Sequence, residues 1–332
     1  MSRSRHLRSL VVVSGFMWYC GGAGYLAAQR PSAFSPTDST TIYPTRRLAN
    51  GIYAIPGDTG KGAEGRPNAG FVDTKEGIVV VGGLASPAQG QAVLRTIQRV
   101  SSRPVRWLIL YAHHPDMQFG AIALRRAGAR VIAHPDVHVL AIESGPDAMA
   151  LDWIHVVGLQ EMVGFEYADA PDWAVTGSDT LELGGTTMVM IHPGSAHSAG
   201  DLMLWLPASR VLFTGDVLVE DGVSMIVDGS SVAMLRALDL IDSLRPRVIV
   251  PGHGAIPPDS RQLVATTRRY FLSLRETMRA EVAQGRSMTQ SLTSMPPPET
   301  DRPVSLASRK RRNAVRVYLE VERELLGLDE EP

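Results

Sequence analysis

Histidine and aspartate cluster in four short segments of this 332-residue chain: His113, His114 and Asp116; His197; Asp216 within Thr214-Gly215-Asp216; and His253 within Pro251-Gly252-His253-Gly254. Imidazole nitrogens and carboxylate oxygens are the donors that a hard or borderline dication such as zinc accepts, and the same groups exchange protons near neutral pH. The single cysteine, Cys20, can form neither an internal disulfide nor a cysteine-type zinc cluster, so any metal chemistry falls to His and carboxylates. Taken singly, a His after a strand is usually a surface or core residue, and an Asp at a turn is usually a cap. Four segments of the same character, each with Gly or Pro beside the polar residue, are harder to dismiss. His134, His138, His155 and His192 have no such companions and are read as structural.

For these side chains to meet, strands must deliver them. Apolar runs at 105–111, 187–191, 211–213 and 248–250 have the composition of buried strands, and each ends shortly before one of the four segments. Side chains at the ends of successive strands converge on one sheet edge, where α/β folds build their sites. Further strands are expected at 50–55, 69–73, 77–81, 130–133, 180–183 and 202–206. Helices are expected at 86–100, behind a Ser-Pro start, and at 119–126, 232–244, 260–284 and 309–326. Residues 141–173 read as pocket loops, and a Ser/Thr/Pro-rich loop runs to residue 303. The Gly-rich stretch 57–62 lacks Walker spacing and reads as a flexible turn.

Composition narrows the function. With 44% hydrophobic and 20% charged residues the chain is that of a folded protein, and its formal net charge of −1 offers no general attraction for nucleic acid. The basic run Arg309-Lys310-Arg311-Arg312 reads as a solvated helix turn, so a small-molecule substrate is expected and a nucleic-acid partner is not. Arg3, Arg5 and Arg8 precede an uncharged stretch over 10–28, followed by Gln29-Arg30 and a Ser/Thr/Pro-rich linker over 29–45. This is the order of a secretory signal peptide cut after Ala28, which places the mature protein in the periplasm or outside the cell. Leu26 is bulkier than the usual residue at that position, so an uncleaved anchor over 1–28 is the alternative and the one expected membrane contact.

The order of segments over residues 46–256 resembles the metallo-β-lactamase-fold hydrolase superfamily. The quoted stretches are Tyr111-Ala112-His113-His114-Pro115-Asp116-Met117-Gln118-Phe119-Gly120, Pro193-Gly194-Ser195-Ala196-His197-Ser198-Ala199-Gly200-Asp201, Phe213-Thr214-Gly215-Asp216 and Pro251-Gly252-His253-Gly254. The resemblance implies an α/β fold, a four-layered αββα sandwich, with a helical C-terminal extension over 257–332. Two less specific segments, Gly65-Arg66-Pro67-Asn68-Ala69-Gly70-Phe71 and Asn313-Ala314-Val315-Arg316-Val317-Tyr318-Leu319-Glu320, are similar to the exported branch called quinoprotein relay system zinc metallohydrolases.

The departures decide the expected metal count. Aligned on His114-Pro115-Asp116, the family pattern puts Ala112 where a first His belongs and Met117 where a His follows the Asp. Of the family's seven ligand positions, the resemblance leaves five: His114 and His197 from one metal site, Asp216 as the bridge, and Asp116 with His253 from the other. Asp116, Asp216 and His253 are three protein ligands with room for a water, the minimum for a catalytic zinc, so one ion is expected rather than two. His114 and His197 then serve as proton carriers beside Asp116. Met117, a soft thioether, is expected to pack rather than bind. Two functions follow: an exported mono-zinc hydrolase, or a degenerate, non-catalytic binding or accessory protein that keeps the scaffold.

Overall fold

The computed structural model describes residues 36–59, 65–168, 170–220, 222–293, 295 and 306–328. The expected signal or anchor at 1–28, and part of the Gly-rich stretch at 57–62, lie outside the described residues.

Twelve strands and nine helices are described. In the first half they are β1 (Arg46–Ala49), β2 (Ile52–Ile55), β3 (Ala69–Thr74), β4 (Gly77–Val81), α1 (Pro87–Gln98), β5 (Val105–Ile109), α2 (Pro115–Gln118), α3 (Ala121–Arg126), β6 (Arg130–Ala133), α4 (Pro135–Ser144), α5 (Pro146–Val157) and β7 (Trp173–Ala174). The second half holds β8 (Ser178–Leu183), β9 (Thr186–Ile191), β10 (Met203–Leu206), β11 (Val211–Val219), α6 (Ser231–Leu244), β12 (Val248–His253), α7 (Ser260–Ala283), α8 (Met288–Thr293) and α9 (Leu306–Leu325).

Strands β1 to β7 form one sheet in chain order, antiparallel as far as β4 and parallel beyond it. The second sheet runs β12-β11-β10-β9-β8, with only the β11–β12 pair parallel. Strand alternation explains why both faces of each sheet are covered. In β4, Ile78 and Val80 pack toward α1 and α3, while Val79 and Val81 join the core between the sheets. In β11, Val211 and Phe213 enter the same inter-sheet core, and Leu212 packs on the far side with α6, α7 and α9. The layers are therefore helix, sheet, sheet, helix, the αββα sandwich expected from the sequence. The helices beyond residue 257 complete the second outer layer: Val264, Phe271 and Met278 of α7, with Ala314, Val317 and Val321 of α9, share one core with β11 and β12.

Three local readings of the sequence need correction. Residues 141–173 are not a run of loops but contain the end of α4, all of α5 and a 3-10 turn over Leu159–Met162. Pro135 and Pro146 open the two helices, yet Val139, Ile142 and Leu151 are 47%, 50% and 67% exposed, so no single apolar stripe marks them in the sequence. Strand β11 does not stop at Phe213 but runs on to Val219, because Gly215 adopts φ +52° at a register shift against β12 and lets the strand continue past its polar residues. The Ser/Thr/Pro-rich loop contains a short helix, α8. Among the described residues, no helix is long and apolar enough to cross a membrane.

Candidate metal centre

The site lies where the two sheets bring the ends of β5, β11 and β12 and the loop after β9 together. Asp216 sits inside β11, and His253 is the last residue of β12, its parallel neighbour. The approach of these strands requires glycine: a Cβ on Gly252 would stand 2.1 Å from Asp216 Oδ1 and 2.7 Å from the Gly215 carbonyl carbon. From the first sheet, buried Asn68 donates through Nδ2 to the Pro251 and Gly254 carbonyls at 2.9 and 2.8 Å, fixing the turn that carries His253. His114 precedes the single turn of α2 without a side-chain capping bond, Asp116 lies in that turn, and Gly83 N–H donates to the Met117 carbonyl to anchor it.

His197 is in a loop and is held by side chains and carbonyls. The buried Asp201 carboxylate accepts from the His197 and Ser198 backbone N–H groups at 2.7 and 2.9 Å and from the Ser198 hydroxyl at 2.7 Å. Burial pushes the Asp201 carboxyl up to about 6 against the pull of His197 and these hydrogen bonds. On the other side, His197 Nδ1 lies 2.6 Å from the Met225 carbonyl. A carbonyl can only accept, so Nδ1 carries a hydrogen and Nε2 is the nitrogen turned to the site.

Among the described residues, two groups bring ligand atoms within 4.8 Å of one another: His114, His197 and Asp216; and Asp116, Asp216 and His253. In the first, His197 Nε2 is 3.0 Å from His114 Nδ1 and 3.4 Å from Asp216 Oδ2. In the second, His253 Nε2 is 2.9 Å from Asp116 Oδ2 and 3.7 Å from Asp216 Oδ1. Tetrahedral zinc with ligand bonds of ~2.1 Å spaces its ligand atoms ~3.4 Å apart, and the two separations given for each group, 3.0 and 3.4 Å and 2.9 and 3.7 Å, lie on either side of that spacing. Two buried polar atoms, Asp216 Oδ1 and His114 Nε2, have no hydrogen-bond partner in the protein, as expected of atoms meant for a ligand. The Nδ1–H to carbonyl arrangement of His197 is the one that orients metal-binding imidazoles.

Charge follows from burial. His114 is held well below the usual imidazole value, first by burial and then by the neighbouring imidazoles of His197, His113 and His253, so it is neutral at pH 7. For His197, burial works the same way but is outweighed by Asp216, Asp201 and the Met225 carbonyl, and its value is raised. The Asp216 carboxyl is raised by burial against the opposing pull of His253 and His197.

All five residues singled out in the sequence, His114, Asp116, His197, Asp216 and His253, meet in this one place. His113 does not join a ligand group; its ring lies 4.3 Å from that of His114, and its carbonyl accepts from Gln118 Nε2. Ala112 and Met117 are buried in the inter-sheet core. His134 and His192 stack on each other at 4.3 Å, and His138 stacks on Tyr167.

The five residues line one end of a cavity of about 280 Å3. Sequence reasoning missed its other walls: Trp153 of α5, Val219 and Val223 at and after the end of β11, Met225, Val227, and Arg309 with Arg312 of α9. The basic run at 309–312 is thus not simply a solvated turn. Arg309 and Arg312 face the cavity, while Arg311 donates to the Leu292 carbonyl. Their three-residue spacing puts them on one helix face, and this was the signal available in the sequence.

Residues 62–253 match the profile described as the metallo-beta-lactamase superfamily. A segment of 89 residues is 30% identical to the metallo-beta-lactamase type 2 of Bacteroides fragilis, covering 25% of this chain and 36% of that protein. The chain thus spans about a third of the length of this curated relative. Among solved structures, a metallo-beta-lactamase from Pontibacter korlensis superposes with a TM-score of 0.55 at 19% identity, over 69% of this chain and 98% of that one. The stereoselective inverting sec-alkylsulfatase Pisa1 from Pseudomonas sp. superposes with a TM-score of 0.65 at 14% identity, over 88% of this chain and 52% of that one. These structural likenesses are of fold. The profile match over more than half of the chain places the protein in the metallo-beta-lactamase superfamily.

Proposed function

We propose that the protein is an exported hydrolase of small molecules that works with a single zinc ion. The observation that carries this reading is the grouping of Asp116, Asp216 and His253, three side chains whose ligand atoms lie within 4.8 Å of one another at the end of a cavity. A zinc ion held there supplies Lewis acidity and lowers the pKa of water, the two services hydrolysis needs. The protein's own residues supply proton handling. The His197 Nδ1–H is committed to the Met225 carbonyl, and its Nε2 lies 3.0 Å from His114 Nδ1, so a single proton is shared between the two rings. His114 is neutral and its buried Nε2 has no partner in the protein, which leaves the pair able to exchange a proton with an attacking water. Export rests on the 1–28 segment.

Within the superfamily, the likeness to quinoprotein relay system metallohydrolases rests on its two sequence segments, whose residues have structural roles here. Asn68 fixes the His253 turn, while Asn313 and Glu320 bind the backbone of residues 226 and 231 near the site. A second reading, the degenerate binding protein, draws on Ala112 and Met117. If these stand at ligand positions, each has an apolar side chain committed to the core and neither can serve a metal.

Elemental analysis of the purified mature protein separates the two. The hydrolase reading expects about one zinc per chain. Asp116→Ala then loses both metal and turnover, and His114→Ala keeps most of the metal while turnover falls ~10²–10⁴-fold, as for a lost proton carrier. A wild-type protein that takes up no zinc at neutral pH in excess metal, beside a folded Ala112→His/Met117→His variant that does, establishes the binder instead.

A further inference from the structure

The rest of the cavity lining, which adjoins the ligand residues where Val219 pairs with His253 and Val227 N–H donates to the His197 carbonyl, has a chemistry of its own. Trp153, Val219, Val223 and Val227 give it an apolar surface, and Arg309 and Arg312 of α9 add two basic residues to the lining. Helix α9 lies wholly outside the segment that matches the superfamily profile, so the two cations reach the site from beyond the matched segment.

The two arginines are carried by a helix that is locked against the cavity wall. Asn313, next to Arg312, accepts from the Ile226 N–H at 2.8 Å and donates to the Ser224 carbonyl at 2.9 Å and to the Tyr270 hydroxyl at 3.1 Å. Arg316, one turn further on, donates to the Val227 carbonyl. The stretch 223–227 that forms the apolar wall is therefore tied to the helix that presents the arginines, and the two surfaces move as one. Arg309 is half-buried, whereas Arg312 is exposed. Paired guanidinium groups bind planar or tetrahedral oxyanions through parallel N–H bonds, in a way a single ammonium cannot. The cavity, about 280 Å3, falls at the lower edge of the ~300–1,000 Å3 typical of ligand sites, so the molecule it takes is small.

From this juxtaposition, and resting on the hydrolase reading of the site, we infer that the substrate is a small anionic molecule. Its apolar body lies against Trp153, Val219, Val223 and Val227, and its oxyanion, a carboxylate, sulfate or phosphate, is held by Arg309 and Arg312 of the C-terminal helix. The two arginines are specificity residues: they select the charged substrate and set which end of it faces Asp116, Asp216 and His253.

Calorimetric titration with hexanoate, hexyl sulfate, hexyl phosphate and hexanol tests this without any turnover. Metal-free protein, prepared with a chelator, keeps an anion from being held by the metal instead. At least one of the three anions binds tenfold or more tighter than hexanol, and which one does so identifies the oxyanion. Arg309→Gln/Arg312→Gln removes that difference, as does exposed Arg312→Gln in part, with melting curves confirming that each variant is folded. Equal binding of hexanol and all three anions, or an anion preference that survives in the folded double variant, overturns the inference. Turnover is read separately, as the ratio of kcat/KM for mono-4-nitrophenyl glutarate to that for 4-nitrophenyl butyrate, which falls roughly tenfold or more in the double variant. Anion-selective binding that depends on the arginines, with neither ester hydrolysed by zinc-loaded protein, leaves the inference standing and counts against the hydrolase reading alone.

Discussion

His197 and His253 both face Asp216, at 3.4 and 3.7 Å, yet the two imidazoles are held by different kinds of structure. His253 ends a strand. Its place follows from the β11–β12 ladder, from the glycine that lets those strands close on Asp216, and from Asn68 reaching across to the turn. His197 sits in a loop with no ladder of its own. It is fixed by the buried Asp201 carboxylate behind it and by the Met225 carbonyl in front. That carbonyl is in turn held by Asn313, which bonds the residues on either side of it, Ser224 and Ile226. One half of the site is thus fixed by sheet geometry, and the other by a helix that enters only at the C-terminal end of the described chain.

Substitutions sharpen the contrast, and the largest effect belongs to the residue both halves share. Asp216→Asn keeps the shape of the side chain but removes the charge common to both groups. Outer-shell partners of metal ligands cost ~10–100-fold when lost, so metal affinity here falls more than ~100-fold, read by zinc titration, with turnover falling alongside. Retention of wild-type metal content would break the claim that the two groups depend on one carboxylate.

On the sheet side, Gly252→Ala drives a methyl group to 2.1 Å from Asp216 Oδ1 and 2.9 Å from Asp216 N. The obstacle includes backbone of the adjoining strand, so β12 must shift away from β11. A loss of about 2–4 kcal/mol is expected in denaturant unfolding, with metal and turnover lost together.

The effect on the helix side is smaller and differently distributed. Asn313→Ala leaves the buried Ile226 N–H and Ser224 carbonyl without these partners, at about 2 kcal/mol. With the Met225 carbonyl no longer fixed, the His114–His197 pair loses its orientation, so turnover falls while zinc at Asp116, Asp216 and His253 is retained. If Gly252→Ala and Asn313→Ala instead lower metal and turnover in the same proportion, the two halves are not held independently.

The strands carrying Asp216 and His253 were legible because buried strands announce themselves as short apolar runs, and each of the two residues follows such a run closely. The His114-Pro115-Asp116 turn and His197 were legible from their place after such runs. Helices α4 and α5 were not, since their apolar residues are partly left on the surface and no periodic stripe survives. The extension of β11 beyond Phe213 was hidden because Thr-Gly-Asp has the composition of a turn, and only pairing with β12 keeps it in a strand. The spacing of Arg309 and Arg312 put them on one helix face, but what that face meets was hidden. A basic run on a helix looks the same whether it faces solvent or a cavity, and what it faces depends on where α9 packs.

The sequence by itself determined where most of the buried strands run and which histidines and aspartates follow them, while the layered sandwich and the five-ligand set came from the family resemblance. The strands depend on local apolar runs, and the candidate ligands on which donors a chain possesses. Tertiary structure alone decided that Met225 supplies a carbonyl to His197 Nδ1, that Asn313 holds the loop bearing it 88 positions earlier, and that two arginines from the last described helix face the same cavity as Asp216. A backbone carbonyl has no residue identity to read, and contacts between distant segments arise only once burial of Val317, Val321 and Phe271 in one core has placed α9 beside the site.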